Sequence, residues 1–411
     1  MTQRMGWRET KGAGKNRRAN KEYDMDKKAV AEIKKLIRRT NCRLDQMRGC
    51  YVNENKEKVF ELKEMFLALE DKEMDRYCEI LRKTLSGRLG KNLFNTEFPL
   101  EEEAAGGKQA VLMALRDSGL KDDDLVEDFY QKVIETYDYP GKYLILLVHG
   151  MYDIPAKTSD GLALDEASEY VYSFLVCCMC PVELLNEGLC YDGSIQKFLS
   201  RSSDYGVKKP TVGFLFPSFN DRQPDIHELL YYAAKGDARH EELAASLLGC
   251  ELDLAEKEQQ DTFHRVIEEG LGRGCDFEMV KNITDAVNEL VEAAKDDPSP
   301  VQVDKGDMVR ILEDNGVDED TINQFKAVYD ENVSDSDILM AENVVDTSKI
   351  EVKSAVMKVS VKNEATGLLQ TKIIDGVEYL LVPLNDDVEV NGIRIKRTQE
   401  TPESVINTKG E

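Results

Sequence analysis

Three cysteines and a histidine supply the residue types of a zinc site. Cys177 and Cys180 form a CxxC pair, and Cys190 follows ten residues later. His149, at the end of a separate apolar segment, could complete a set of three thiolates and one imidazole, which suffices for tetrahedral zinc. However, the CxxC pair ends an apolar run, and free cysteine is often a core residue. The sequence therefore leaves two alternatives, a zinc site or core packing, and it suggests no other cofactor.

A second set of residues could perform acid–base chemistry. His149 follows the apolar run LILLV, and Asp153 comes four residues later. Asp221, Arg222 and His227 follow another apolar run, GFLFP. Because catalytic groups often stand where buried strands end, these residues predict a hydrolase-like cleft in which Arg222 binds an anionic group. The alternative is a structural histidine beside ordinary loop residues, since the sequence has no GxSxG, HExxH or phosphate-binding loop motif.

A third candidate site is the glycine-containing segment LSGRLGKNL. It places Gly87 and Gly90 in a GxxG pattern with Arg88 and Lys91 beside them. KH domains use a GxxG loop to clamp a nucleic-acid backbone. Together with the basic helix predicted for residues 25–39, the segment favours an RNA- or ribosome-associated factor. A glycine that ends a helix explains Gly87 equally well.

The elements that would position these groups form an α+β fold with a central mixed sheet, flanking helices, a helical segment and a small C-terminal β meander. Continuous apolar runs predict three central strands buried on both faces, at residues 143–149, 170–180 and 212–216. A hairpin is predicted near residues 42–66. After the third run, Asp225 has the position of an N-cap and Glu228 that of its capping-box partner. We therefore expect a helix to begin at Asp225.

Composition and turn signals divide the chain into six parts. The predicted parts are a disordered basic tail (1–24), an N-terminal helical and hairpin region (25–140), a central sheet region (141–224), a helical region (225–345), a β meander (346–397) and a disordered tail (398–411). Within the meander, Asp375-Gly376 and Asn391-Gly392 are typical of tight hairpin turns. A clean helical pattern begins at Met25, which is therefore an alternative start to Met1.

The overall charge excludes some functions. The 411 residues include 79 acidic and 54 basic side chains, for a formal net charge of −25. This field repels phosphate, so nonspecific binding to nucleic acid or an anionic membrane is not expected, and nucleic acid could bind only at a local site. We expect the nine cysteines to be free thiols in the cytosol, because no export signal or bilayer-length apolar segment is visible.

Five segments in order resemble a bacterial family known only as a domain of unknown function. They are ILRKTLSGRLGKNLFNTEFPLE, HGMYDIPAKTSDG, CCMCPVELLNEGLCY, GFLFPSFNDRQPDIHELLYY and IDGVEYLLVPLNDDVEVNGI. The resemblance covers residues 25–396 and leaves out both tails. Because the family has no established activity, it implies no catalytic residue, cofactor or partner.

Each catalytic pattern considered lacks at least one required partner. The sequence therefore favours a non-catalytic binding or regulatory protein of the cytosol with a protein partner, and it leaves open whether the chain is an enzyme. The alternatives are the hydrolase-like enzyme and the RNA- or ribosome-associated factor described above.

Overall fold

An antiparallel sheet of eight strands forms the centre of the molecule. The structure, a computed structural model, describes residues 24–157, 163–185, 188–201, 204–236, 238–334, 337–383, 388–390 and 392–395. The strands up to residue 233 are β1 (Leu44–Val52), β2 (Lys58–Met65), β3 (Leu93–Glu97), β4 (Tyr143–Lys157), β5 (Ala163–Leu184), β6 (Gly188–Asp192), β7 (Lys197–Arg201), β8 (Tyr205–Val207), β9 (Val212–Phe216), β10 (Ser218–Asn220), β11 (Gln223–Asp225) and β12 (Glu228–Ala233). The sheet has the order β2-β1-β4-β5-β9-β12-β3, and β8 pairs with the end of β5. The predicted α+β class is confirmed, as are the three central strands and the early hairpin.

Helices cover both faces of this sheet. They are α1 (Lys27–Leu36), α2 (Asp71–Thr84), α3 (Leu100–Glu103), α4 (Lys108–Asp117) and α5 (Asp123–Thr136). Along β4, Leu146 and Val148 pack with α1 and α2, whereas Ile145 and Leu147 pack with α4 and α5. We call these two sides the α1 face and the α5 face. The apolar runs are continuous because successive side chains point to opposite faces and both faces are buried.

The segment after β9 is a strand hairpin, so the prediction of a helix from Asp225 is wrong. Asp221 and Arg222 join β10 to β11 with φ values of 41° and 60°. Positive φ at both central residues is the type I′ turn that matches the twist of antiparallel strands. Residues 228–233 then form β12 between β9 and β3, and all six are buried. The run LLYYA is buried on both faces, and this burial outweighs the local capping pattern.

Residues 256–344 form a helical unit with its own apolar core. The helices after β12 are α6 (Glu241–Leu243), α7 (Glu256–Leu271), α8 (Phe277–Ala293), α9 (Lys305–Asp314), α10 (Glu319–Asn332) and α11 (Ala341–Val344), with a π-helical turn at Ala244–Leu248. Short 3-10 helices lie at Arg39–Asn41, Phe66–Ala68, Gly272–Gly274 and Asn363–Leu368. Phe263, Val287 and Phe325 are buried together in this core. No helix in the described ranges is long and apolar enough to cross a membrane.

The C-terminal β region consists of short hairpins. They are β13 (Lys349–Lys353) with β14 (Lys358–Lys362), β15 (Gln370–Ile374) with β16 (Val377–Leu381), and β17 (Glu389–Val390) with β18 (Ile393–Arg394). The predicted turn at Asp375-Gly376 is confirmed, with φ values of 52° and 79°. Of the second predicted turn, Asn391 lies outside the described residues. In the described part of the chain, each hairpin is a separate two-stranded sheet.

Gly213 on β9 allows α2 to approach the sheet closely. A Cβ atom at Gly213 would lie 2.7 Å from Thr84 Cγ2 and would also meet the carbonyl oxygen of Cys177. We expect Gly213→Ala to lower the free energy of unfolding by about 1–3 kcal/mol, the usual cost of overpacking, as measured by urea denaturation. Gly188→Ala is the matched control, because its Cβ would meet nothing within 4 Å. Equal losses in the two variants would contradict the close approach of α2.

Candidate functional site

A large cavity lined by basic side chains lies beside α1 and α2. Its volume is about 1420 Å³, and its walls come from the end of α1, the length of α2 and the segment after β8. The lining cations are Lys34, Arg38, Arg39, Lys72, Arg76, Arg82, Lys83, Lys208 and Lys209. The lining also includes three carboxylates, Glu73, Asp75 and Glu79. We call this the basic cavity, and its charge is opposite in sign to that of the whole chain.

Some of these cations already have carboxylate partners. Arg39 Nη1 lies 2.8 Å from Asp71 Oδ2, and Arg76 Nη1 lies 3.0 Å from Glu79 Oε2. Lys208 also pairs, with Glu183. Among the residues that the structure describes, no salt bridge neutralises the following members of the cavity wall: Lys34, Arg38, Lys72, Arg82, Lys83 and Lys209. An anion entering the basic cavity would therefore meet unneutralised positive charge.

Lys34 shows the electrostatic cost of this arrangement. Burial lowers the pKa of Lys34, and the neighbouring charges of Arg82, Lys83 and Arg38 lower it further. The ammonium group donates a hydrogen bond of 2.5 Å to Ser86 Oγ. Like charges held together in one wall destabilise the empty cavity, and a bound anion would relieve their repulsion.

The sequence contained only part of the signal for this cavity. Lys72, Arg76 and Lys83 recur at helical spacing and could have been recognised as one basic face of α2. Lys208 and Lys209 are more than a hundred residues away, and only the pairing of β8 with β5 brings them to the same cavity. Their contribution could not be inferred from local pattern.

The glycine-containing loop contacts the helical unit. Gly87 and Gly90 have φ values of 142° and 77°, which favour glycine. Arg88 Nη2 lies 2.9 Å from Glu256 Oε1, and Lys91 Nζ lies 2.7 Å from Glu256 Oε2. Both cations of the predicted nucleic-acid site are thus engaged by one carboxylate at the start of α7. Nucleic-acid binding by these four loop residues stays a prediction.

His149 joins two other side chains in a hydrogen-bonded chain. Its Nδ1 lies 2.7 Å from Asp45 Oδ1, and its Nε2 lies 2.9 Å from Ser173 Oγ. His149 is only 4% exposed. Burial alone would raise the pKa of Asp45, but the hydrogen bond and the charge of His149 lower the pKa of Asp45 below its usual value. The result is an ordered Asp–His–Ser arrangement on the α5 face.

Sequence reasoning missed Asp45 and Ser173. Asp45 lies 104 residues from His149, and it reaches the histidine at a register shift between β1 and β4. Ser173 is 24 residues from His149 and interrupts the apolar run of β5. That single polar residue in an apolar strand was the only local signal, because the pairing of β4 with β5 was not available from the sequence.

The structure does not bring the predicted hydrolase residues into one cleft. Asp221 is exposed in the turn between β10 and β11. Arg222 Nη1 lies 2.8 Å from Glu32 Oε1 on α1, and its Nη2 donates a hydrogen bond of 3.1 Å to the carbonyl oxygen of Pro155. Arg222 therefore reaches the α1 face, whereas His149 alternates onto the α5 face. The two cannot share a proton-transfer step in this arrangement.

The other two predicted catalytic residues are also separate. Asp153 is exposed on β4, directly across from Val171 of β5. His227 lies in the turn between β11 and β12, and its Nδ1 lies 2.7 Å from Glu103 Oε1. The ring of His227 is half exposed. Of the five predicted residues, His149 contacts Asp45 and Ser173, whereas Arg222 joins Tyr152 in contacting Glu32 on the opposite face.

The predicted zinc ligands are divided between the two faces of the sheet. Cys177 packs on the α5 face, whereas Cys178 and Cys180 pack on the α1 face with their sulfur atoms 3.8 Å apart. Burial raises the pKa of Cys177 well above the usual value, and a hydrogen bond with Cys178 together with burial does the same for Cys180. The side chain of Cys190 lies outside the described part. Among described residues, no group of three or more His, Cys, Asp or Glu could hold a metal ion.

Glu228 is a buried carboxyl group at the start of β12. It is 7% exposed, and Asn220 Nδ2 donates a hydrogen bond of 2.7 Å to Glu228 Oε2. Burial raises the pKa of Glu228 to about 8; the hydrogen bond from Asn220 opposes this rise, and neighbouring carboxylates, Asp225 among them, add to it. The folded protein thus holds a proton here at pH values where an exposed glutamate is ionised.

Comparison with known families identifies a family model that matches most of the chain. The family described as Domain of unknown function (DUF4317) matches residues 25–393. This confirms the resemblance drawn from the five sequence segments. A search of the curated proteins finds no match.

The raised pKa of Glu228 predicts a pH-dependent stability. The ordinary value is 4.5, so between that pH and about 8 the folded state binds more protons than the unfolded state, and stability falls as pH rises. Between about pH 5 and about pH 9, we expect the free energy of unfolding of wild-type protein to fall by a few kcal/mol relative to Glu228→Gln. Urea denaturation at each pH measures this difference.

The control for this experiment is Glu101→Gln, which changes an exposed carboxylate near the same edge of the sheet. Its stability should follow that of the wild-type protein at every pH. Parallel stability curves for wild-type protein and Glu228→Gln would show that Glu228 titrates normally.

Proposed function

Because the chain belongs to the DUF4317 family, whose description names no activity, we propose its function from its geometry: it binds single-stranded RNA in the basic cavity. One observation carries this proposal. Nine lysines and arginines surround a single cavity in a chain whose net charge is −25. A local concentration of positive charge in a protein of negative net charge is typical of a site that binds a polyanion.

The size of the cavity favours an oligonucleotide over a small metabolite. Sites for small molecules usually measure about 300–1,000 Å³, and the basic cavity is larger, at about 1420 Å³. Several nucleotides of a single strand would fill this space. Their phosphates would pair with the unneutralised cations, among them Arg38, Arg82 and Lys209.

An aromatic side chain in the wall supports a single-stranded ligand. Tyr77 of α2 lines the basic cavity and is partly buried. Bases of a single strand stack on aromatic rings without regard to sequence, whereas a duplex keeps its bases stacked internally. A cavity with one ring and many cations therefore suits an unpaired strand.

The remaining negative charge of the molecule would limit binding to this site. The field of the whole chain repels phosphate at long range, so an RNA would bind only where local cations overcome that field. Arg88 and Lys91 do not enter the proposal because Glu256 already engages them. We place this binding in the cytosol, with which buried free thiols are consistent. A protein partner stays a prediction.

The proposal predicts salt-dependent RNA binding that requires the cavity cations. Fluorescence anisotropy would measure the affinity for a labelled RNA of about 12 nucleotides, a length within the range of known single-strand sites. Lys72 and Lys209 are both exposed and without a salt bridge in the described structure. The double variant K72Q/K209Q should bind more weakly, and its slope of log affinity against log salt should be smaller by about 1.4, as expected for two lost phosphate contacts.

The matched control is K121Q/K132Q, which removes the same charge from exposed lysines near α5, on the other side of the sheet. It should bind as the wild-type protein does. A single-stranded DNA of the same sequence distinguishes recognition of the 2′-hydroxyl from recognition of phosphate alone. Absence of RNA binding, or equal losses in both double variants, would refute the proposal.

A further inference from the structure

The hydrogen-bonded chain of Asp45, His149 and Ser173 points to a second site, independent of the basic cavity. We propose that Ser173 is a nucleophile activated by His149 and Asp45, and that it accepts the acyl group of an uncharged ester with an apolar acyl chain. The two distances, 2.7 Å from Asp45 Oδ1 to Nδ1 and 2.9 Å from Nε2 to Ser173 Oγ, are those of a working nucleophile–base–carboxylate set.

The hydrogen bonds determine the form of the imidazole. The ionised carboxylate of Asp45 accepts a hydrogen bond from Nδ1–H of His149. In the neutral ring, Nε2 is then free to accept the hydroxyl proton of Ser173. This is the tautomer that a general base needs. His149 is 4% exposed, so its ring is fixed by packing as well as by the two hydrogen bonds.

A substrate can reach Ser173 from the open end of the α5 face. Ser173 is partly exposed, although its neighbours Tyr172 and Phe174 are fully buried on the other face. Met151, directly across on β4, is 50% exposed, and Val171, two residues earlier on β5, is 56% exposed. The sheet therefore continues past the helices that cover it, with Ser173 at the boundary.

The surroundings define the class of substrate. Met151 and Val171 lie on the same face as Ser173 and would contact an apolar acyl chain. Asp153, across from Val171, adds negative charge to the exposed end of this face. An anionic substrate would be repelled both here and by the net charge of −25. A neutral ester of an apolar acid fits these features.

The reaction proceeds in two balanced steps. Ser173 Oγ attacks the carbonyl carbon while its proton passes to Nε2 of His149, and the ester C–O bond then breaks as the leaving alkoxide takes that proton. Water next attacks the acyl–serine ester, gives its proton to Nε2, and releases the carboxylic acid as the proton returns to Ser173 Oγ. Asp45 stays ionised, orients the His149 ring and stabilises the positive charge of the imidazolium that forms in each step.

A fluorophosphonate probe tests the nucleophile directly, because Ser173 Oγ would displace fluoride and carry a stable phosphonyl group. We expect mass spectrometry to locate the label at Ser173 of the wild-type protein. Ser173→Ala should not be labelled, and His149→Gln should be labelled about 100-fold more slowly, the usual range of a lost general base. Asp45→Asn, at a half-exposed position, should be at least about 10-fold slower.

Ser360→Ala is the matched control, since Ser360 is an exposed serine on a hairpin strand, and it should be labelled as the wild-type protein is. Hydrolysis of p-nitrophenyl butyrate, but not of p-nitrophenyl phosphate, should follow the same order of variants. Circular dichroism establishes that each variant is folded. If Ser173 of the folded wild-type protein is labelled no faster than Ser360, or if Asp45→Asn and Ser173→Ala react as the wild-type protein does, the inference is wrong.

Discussion

The burial on both faces of residues 143–150 in β4 and 174–182 in β5 is the constraint on which the rest of the structure depends. A sheet whose strands are apolar on both faces cannot leave either face in contact with water, so helices must cover both sides. It does so with α1 and α2 on one face and with α4 and α5 on the other. Polar groups in such a sheet need partners within it. His149 meets this requirement through Asp45 and Ser173, and the same need for satisfaction produces the ordered Asp–His–Ser arrangement.

How much could be read from the sequence depended on the range of the interactions. Continuous apolar runs identified β4, β5 and β9, and Asp375-Gly376 identified a hairpin turn, because burial and turn geometry leave local patterns. β12 was missed because its local capping pattern resembled a helix start, whereas its position between β9 and β3 is a tertiary fact. The contact between Ser173 and His149 likewise depends on the pairing of β4 with β5, and no local pattern in the sequence predicts that pairing. Of the two alternatives for the cysteines, a zinc site or core packing, the structure is consistent with core packing for Cys177 and Cys180, because three-residue spacing along a strand sends them to opposite faces.

The distribution of charge separates this molecule from a uniformly acidic protein. Carboxylates neutralise part of the basic cavity, as at Arg39 and Arg76, and the remaining cations repel one another. Burial lowers the pKa of Lys34, and the charges of Arg82, Lys83 and Arg38 lower it further. A wall of this kind opposes folding and favours an anionic ligand, so the same residues that destabilise the empty cavity would supply its affinity.

Glu256 gives the helical unit a connection to this wall. Its carboxylate holds Arg88 and Lys91 at once, and Gly87 of the same loop lines a cavity of about 180 Å³ together with Lys34, which also lines the basic cavity. A movement of α7 away from the loop would release two cations next to the ligand. Thermodynamic reciprocity requires that any resulting change in ligand affinity be matched by an equal change in the docking free energy of the helical unit. If the proposed ligand binds the basic cavity more tightly once these two cations are released, occupancy of the cavity and the position of α7 are linked equilibria.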